Sequence, residues 1–128
     1  MNQNIFRVAT WIGATAIIAG AFGAHALKSR LDSNLLATFE TAARYQFFHA
    51  LALVVLSLMY ERFDQKRIKW VVGSMFVGLI LFCGSLYLLC LSSPHFRWLG
   101  AITPFGGTSL ILAWILWGFS IKHKNVSS

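Results

Sequence analysis

The chain has 128 residues, of which 57% are hydrophobic and 12% charged, with a formal net charge of +7 and a mean hydropathy of +0.65. Soluble domains carry about 25% charged residues, whereas four stretches here carry none at all: 8–27 (20 residues), 45–60 (16), 70–96 (27) and 98–121 (24). Runs of this kind cross about 30 Å of hydrocarbon as helices, which excludes a soluble enzyme, a disordered tail and a secreted disulfide module.

The first span is expected over 7–26. Arg7 before an apolar run and Ala24-His25-Ala26 after it imitate a signal peptide, but the run is as long as a full span and reads as a transmembrane helix. Ala9, Gly13, Ala16, Gly20 and Gly23 recur at spacings of 4, 3, 4 and 3, a small-residue seam that admits another helix closely. Residues 27–44 form a polar connector. Within it Asp32-Ser33-Asn34 supplies N-cap chemistry for a second helix over 35–60, expected to reach the hydrocarbon near Tyr45. The most charged loop is 61–69, and the third span follows over 70–91, ended by Ser92-Ser93-Pro94. Thr103 is expected as the N-cap of a fourth span over 104–121, with Pro104 at its first position. The fold class is therefore an all-α integral membrane four-helix bundle, one domain over 1–128.

With four spans, Arg7, Arg62, Lys66, Arg67, Lys69, Lys122 and Lys124 share one side, seven in all, against Lys28, Arg30, Arg44 and Arg97 on the other. The positive-inside rule then favours N-in and C-in. These basic residues sit in short loops, where they set topology and touch lipid headgroups, so the lipid bilayer is the expected partner and nucleic acid is not. Cys83 and Cys90 lie seven residues apart on one helix, roughly 10 Å along its axis. That is too far for a disulfide, and CxxC metal spacing is missing.

Most of the unusual residues fall in the outer half. His25 ends the first span; Glu40, Arg44, Tyr45, Gln46 and His49 line the start of the second; Gly84 and Tyr87 sit on the third; Thr103, Gly106 and Gly107 open the fourth. Polar groups at membrane depth are costly and normally have a partner or a function. Glu40 and Arg44 are four apart and suited to pair, while His25 and His49 are expected at similar depth. Three readings stand. In the first, the cluster is a polar network fixing helix ends, with the histidines on free backbone carbonyls. In the second, it binds or passes a small molecule, lipid or ion, in a cavity lined by Glu40, Arg44, His49 and Thr103. In the third, His25 and His49 ligate haem iron or a metal. No metal site is assigned, because two histidines without ligand spacing are a weak signal, and the cofactor is left unknown. Catalysis has less to rest on. GxSxG and HExxH are absent, Glu40 is the one acid near the cluster, and Cys83 in an apolar helix reads as inert.

Four segments in series carry a resemblance: 20–27 (GAFGAHAL), 39–53 (FETAARYQFFHALAL), 78–88 (GLILFCGSLYL) and 99–107 (LGAITPFGG). Together they resemble the domain-of-unknown-function 423 family of small bacterial membrane proteins, with mitochondrial transmembrane-256 proteins as distant relatives. The resemblance implies a multi-pass protein of the bacterial inner membrane and no particular activity. The family-like positions are Gly20, Gly23, His25, Tyr45, Gln46, His49, Gly84, Ser85, Tyr87, Pro104, Gly106 and Gly107. The function expected first is that of a non-enzymatic accessory or assembly protein, forming a homo-oligomer or a complex with another membrane protein. A small-molecule, lipid or ion binder or transporter is the alternative, and a haem- or metal-binding redox protein comes third.

Overall fold

A computed structural model describes residues 1–92 and 97–122. Ser93, Pro94, His95, His123 and Lys124 lie outside them, and with them part of the expected stop to the third span and part of the basic tail. Four helices are long and apolar enough to cross a membrane: α1 (Gln3–Leu27), α2 (Ser33–Leu58), α3 (Gln65–Ser92) and α4 (Arg97–Gly118). Three begin on a side-chain cap. Asn2 accepts from the backbone N–H of Ile5 at 3.2 Å, Asp32 from Asn34 and Leu35 at 2.9 Å, and Asp64 from Arg67 at 2.8 Å. Asn2 and Asp64 explain why α1 and α3 start four and five residues before the expected 7 and 70. Their first turns are polar, so hydropathy alone hides them.

The fourth span departs from expectation at both ends. A 3₁₀ turn over Arg97–Ala101 leads into the α-helix Thr103–Gly118, so the chain is already helical at Ile102 (φ −81°, ψ −33°). Thr103 is therefore not an N-cap: its hydroxyl bonds back to the Leu99 carbonyl at 3.3 Å. Beyond Gly118, Phe119–Ile121 leave the helix, because Ile121 pairs with Phe63 in a short antiparallel bridge. The bridge belongs to a clasp at the terminal end. Asp64 N–H donates to Ser120 at 2.7 Å, Lys122 N–H to Arg62 at 3.1 Å, and Asn2 N–H to Ser57 at 2.9 Å.

Most core residues come from α2 and α3, including Leu53, Leu56, Ile68, Val71 and Met75, all fully buried. The seam on α1 is filled within the chain. A Cβ on Gly13 would touch the Ala50 methyl of α2 at 3.6 Å, and one on Gly23 would press the Phe39 ring at 3.0 Å. Ala9 and Ala16 are buried on the same face. Gly20, although in the seam pattern, has nothing within 4 Å of a Cβ position, and neither does Gly84 on α3. The closest helix approach lies elsewhere. A widened π turn interrupts α3 at Ile80–Gly84, and Gly106 of α4 lies against its backbone. A Cβ on Gly106 would stand 2.2 Å from the Phe82 nitrogen. Gly107 makes only ordinary contact, 3.5 Å from the Phe82 ring.

Two outcomes follow. Gly106→Ala forces α4 off α3 and should cost about 1–3 kcal/mol, whereas Gly20→Ala should stay within roughly 0.5 kcal/mol; thermal unfolding in detergent compares them. The second concerns the clasp, where the Met1 ammonium sits 2.7 Å from Glu61. Its hydrogen bond, then its charge, holds the exposed Glu61 carboxyl below its ordinary 4.5. A carboxylate lowered in the folded state contributes stability above its unfolded value and loses it as pH falls through the folded one. Amide protection at Asn2 should therefore drop on acidification through that range, and Glu61→Gln should abolish the pH dependence.

Candidate functional site

The polar residues of the expected cluster separate into three interhelical contacts and an unpaired face. The first contact centres on Gln46 of α2. Its amide nitrogen donates to the Ile12 carbonyl at 3.1 Å and to the Thr15 hydroxyl at 2.9 Å, both on α1. Its oxygen accepts the Tyr87 hydroxyl of α3 at 2.7 Å. One amide thus ties three helices, and Tyr87 also packs edge-on against Phe39 with ring centroids 5.0 Å apart.

The second contact centres on His49, which is 5% exposed. Its Nδ1 lies 2.7 Å from the Tyr45 carbonyl, and its Nε2 lies 3.1 Å from the indole Nε1 of Trp114 on α4. A carbonyl only accepts and an indole N–H only donates. The imidazole is therefore neutral with its proton on Nδ1, and both nitrogens are occupied. Tyr45 stacks on the His49 ring (6.2 Å, 20°) and leans on Phe82 (5.1 Å). The third contact joins Ser85 of α3 to Thr103 of α4, hydroxyl to hydroxyl at 2.6 Å.

His25 is exposed on the π turn Gly23–Leu27 and does not meet His49. The pairings Gly13–Ala50 and Gly23–Phe39 set the register of α1 on α2. At 1.5 Å per residue they separate the two histidines by roughly 17 Å along the axis. The expected similar depth assumed that α2 meets the bilayer at Tyr45. Instead, Leu35, Leu36 and Phe39 already pack with Leu27 and Cys90 in an apolar layer. No group of three or more metal-capable side chains occurs among the described residues. Nor do the histidines use free helix-end carbonyls: His49 bonds within its own helix and to Trp114.

Glu40 and Arg44 are both exposed, and among the described residues neither side chain makes an ion pair or hydrogen bond. The expected i, i+4 pair is not formed. Nor do Glu40, Arg44, His49 and Thr103 line one cavity, since Thr103 packs on Ser85. Arg44, Tyr45 and His49 instead border an open groove of about 810 Å³ between α2 and α4, with Phe48, Leu51, Val55, Trp114 and Trp117. Sequence reasoning missed Trp114 and Thr15. A tryptophan in the middle of a span, away from the interfacial belts, is the available signal, because its N–H needs an acceptor there.

Comparison with known proteins agrees with this architecture. The family described as protein of unknown function DUF423 matches residues 19–107. The chain belongs to this family. It is 38% identical over 102 residues to the UPF0382 membrane protein YwdK of Bacillus subtilis, covering 79% of this chain and 81% of that one. It is 35% identical over 118 residues to the UPF0382 inner membrane protein YgdD of Escherichia coli, covering 90% and 88%. A UPF0382 membrane protein of Staphylococcus saprophyticus is 38% identical over 101 residues, covering 79% and 82%. No solved structure matches. The family and the four apolar helices together make this a multi-pass protein of the bacterial inner membrane. The segment 19–107 spans all three interhelical contacts except Thr15, Ile12 and Trp114.

If Gln46 and Tyr87 act as a unit, Gln46→Leu and Tyr87→Phe will not add. A double-mutant cycle on unfolding should give a coupling of about 0.6 kcal/mol, the average for interhelical hydrogen bonds in membranes. Strict additivity would contradict the contact.

Proposed function

We propose that the protein is a non-enzymatic accessory or assembly protein of the inner membrane. The observation that carries this reading is how the polar side chains of the span are used. Gln46, Tyr87, Ser85 and Thr103 satisfy one another or nearby backbone and hydroxyl groups, His49 is held by Trp114 and the Tyr45 carbonyl, and no buried side-chain polar atom among the described residues lacks a partner. Groups that bind a substrate or carry protons need an open valence toward a cavity; these are closed on the protein itself. The polar network then serves as internal glue, and the outward surface is apolar side chains such as Trp11, Ile18, Ile80 and Ile111. The small-residue seam is filled by α2, so contacts with other proteins lie on faces other than that seam. The basic terminal end, with Arg7, Arg62, Lys66, Arg67, Lys69 and Lys122, faces the cytoplasm in this reading, as the positive-inside rule favours.

The test is crosslinking in native membranes followed by purification in mild detergent. A different membrane protein recovered reproducibly at fixed stoichiometry is the expected result. Protein that crosslinks to nothing else, or that turns over a supplied substrate, would overturn the assignment.

A further inference from the structure

Arg44 poses a physical problem that the chain does not solve internally. The register of α1 on α2 places it level with about Ile18, near the middle of the charge-free run 8–27. A guanidinium exposed at that depth is costly in hydrocarbon and calls for an anionic partner. Glu40, one turn away on the same helix, is also exposed and unpaired.

Arg44 belongs to a stripe along α2, and Glu40 flanks it one turn earlier. Ala37, Arg44, Phe48, Leu51, Val55 and Leu58 are all exposed, and with half-buried Thr41 they repeat at spacings of 4, 3, 4, 3, 4 and 3. That is the spacing of an interhelical seam in a left-handed pair, where side chains of one helix fill the holes of another. Beside the stripe runs the groove of about 810 Å³ walled by Trp114 and Trp117, which offers a place for a large apolar side chain.

We infer that the α2 stripe is the interface of a two-fold symmetric homodimer, in which Glu40 of each copy pairs with Arg44 of the other. A second copy is the occupant the charges select. An anionic lipid would neutralise Arg44 but would be repelled by Glu40, whereas a second copy answers both with one contact used twice. Two-fold symmetry makes such a patch self-complementary. In a parallel pair Glu40 sits one turn from the partner's Arg44, a distance that a long guanidinium side chain reaches. Exclusion of water and lipid strengthens the attraction. This dimer is separate from the accessory role: either can fail without the other.

Charge reversal tests it on the full chain in detergent and in nanodiscs, read by native mass spectrometry and by energy transfer between labelled copies. Glu40→Lys alone and Arg44→Glu alone each set like charges against each other, and each should weaken the dimer about tenfold. Mixed together, the two variants have opposite charges at both contacts and should form a heterodimer near wild-type affinity. Pairing of Glu40 with Arg44 within one helix predicts no such rescue. Leu51→Cys should crosslink copies, while Ile18→Cys on α1 should not. Absence of the heterodimer, or single variants that dimerise as wild type, would overturn the inference. So would a monomer that retains an anionic phospholipid lost on Arg44→Gln, an outcome that would assign the face to lipid.

Discussion

The contact of Gly106 with the Phe82 backbone determines how the second half of the molecule is arranged. With no Cβ in the way, α4 lies against the widened turn of α3. That approach brings Thr103 onto Ser85 at one end of α4 and sets Trp114 above His49 further along. It also turns Phe82 toward Tyr45, which in turn stacks on His49. A side chain at position 106 would move all of these together, since they hang from one rigid helix. The Gly13–Ala50 and Gly23–Phe39 contacts have the same role between α1 and α2 and fix the level at which Gln46 finds Ile12 and Thr15.

Lipid supplies no hydrogen bonds, so every polar group in a span must find its partner within protein or carry a penalty. That rule divides the cluster of unusual residues in two. Gln46, His49, Tyr87, Ser85 and Thr103 obey it internally, and their bonds join α2 to α1, α3 and α4 and α3 to α4. Both imidazole nitrogens of His49, the residue that most invites a metal or proton-transfer reading, are engaged within the protein. Glu40 and Arg44 stand outside the rule and point away from the chain, which is why they carry the inference about a second copy.

Much was legible in the residues themselves. The four spans follow from charge-free length, the α1 seam from its spacing, and the cap at Asp32 from residue type, whereas the cap at Asp64 lay unread within a charged loop. Membership of the family was readable from four short segments in series. Gly20 and Gly84 looked like packing glycines and meet nothing within 4 Å in this chain, while Gly106 lies against the Phe82 backbone. Spacing states which residues share a face; it does not state how near the facing backbone comes.

The sequence by itself determined that this chain crosses the membrane four times as helices, because the length and charge of apolar runs decide that locally. It also named the residues too polar to be left unpartnered. The tertiary structure alone decided who partners whom. Antiparallel register moved His49 away from His25 and toward Trp114, and helix rotation left Glu40 and Arg44 on an outer face. Register and rotation are set by side chains meeting across helices, at contacts such as Gly13–Ala50 and Gly106–Phe82, and a linear pattern does not contain them.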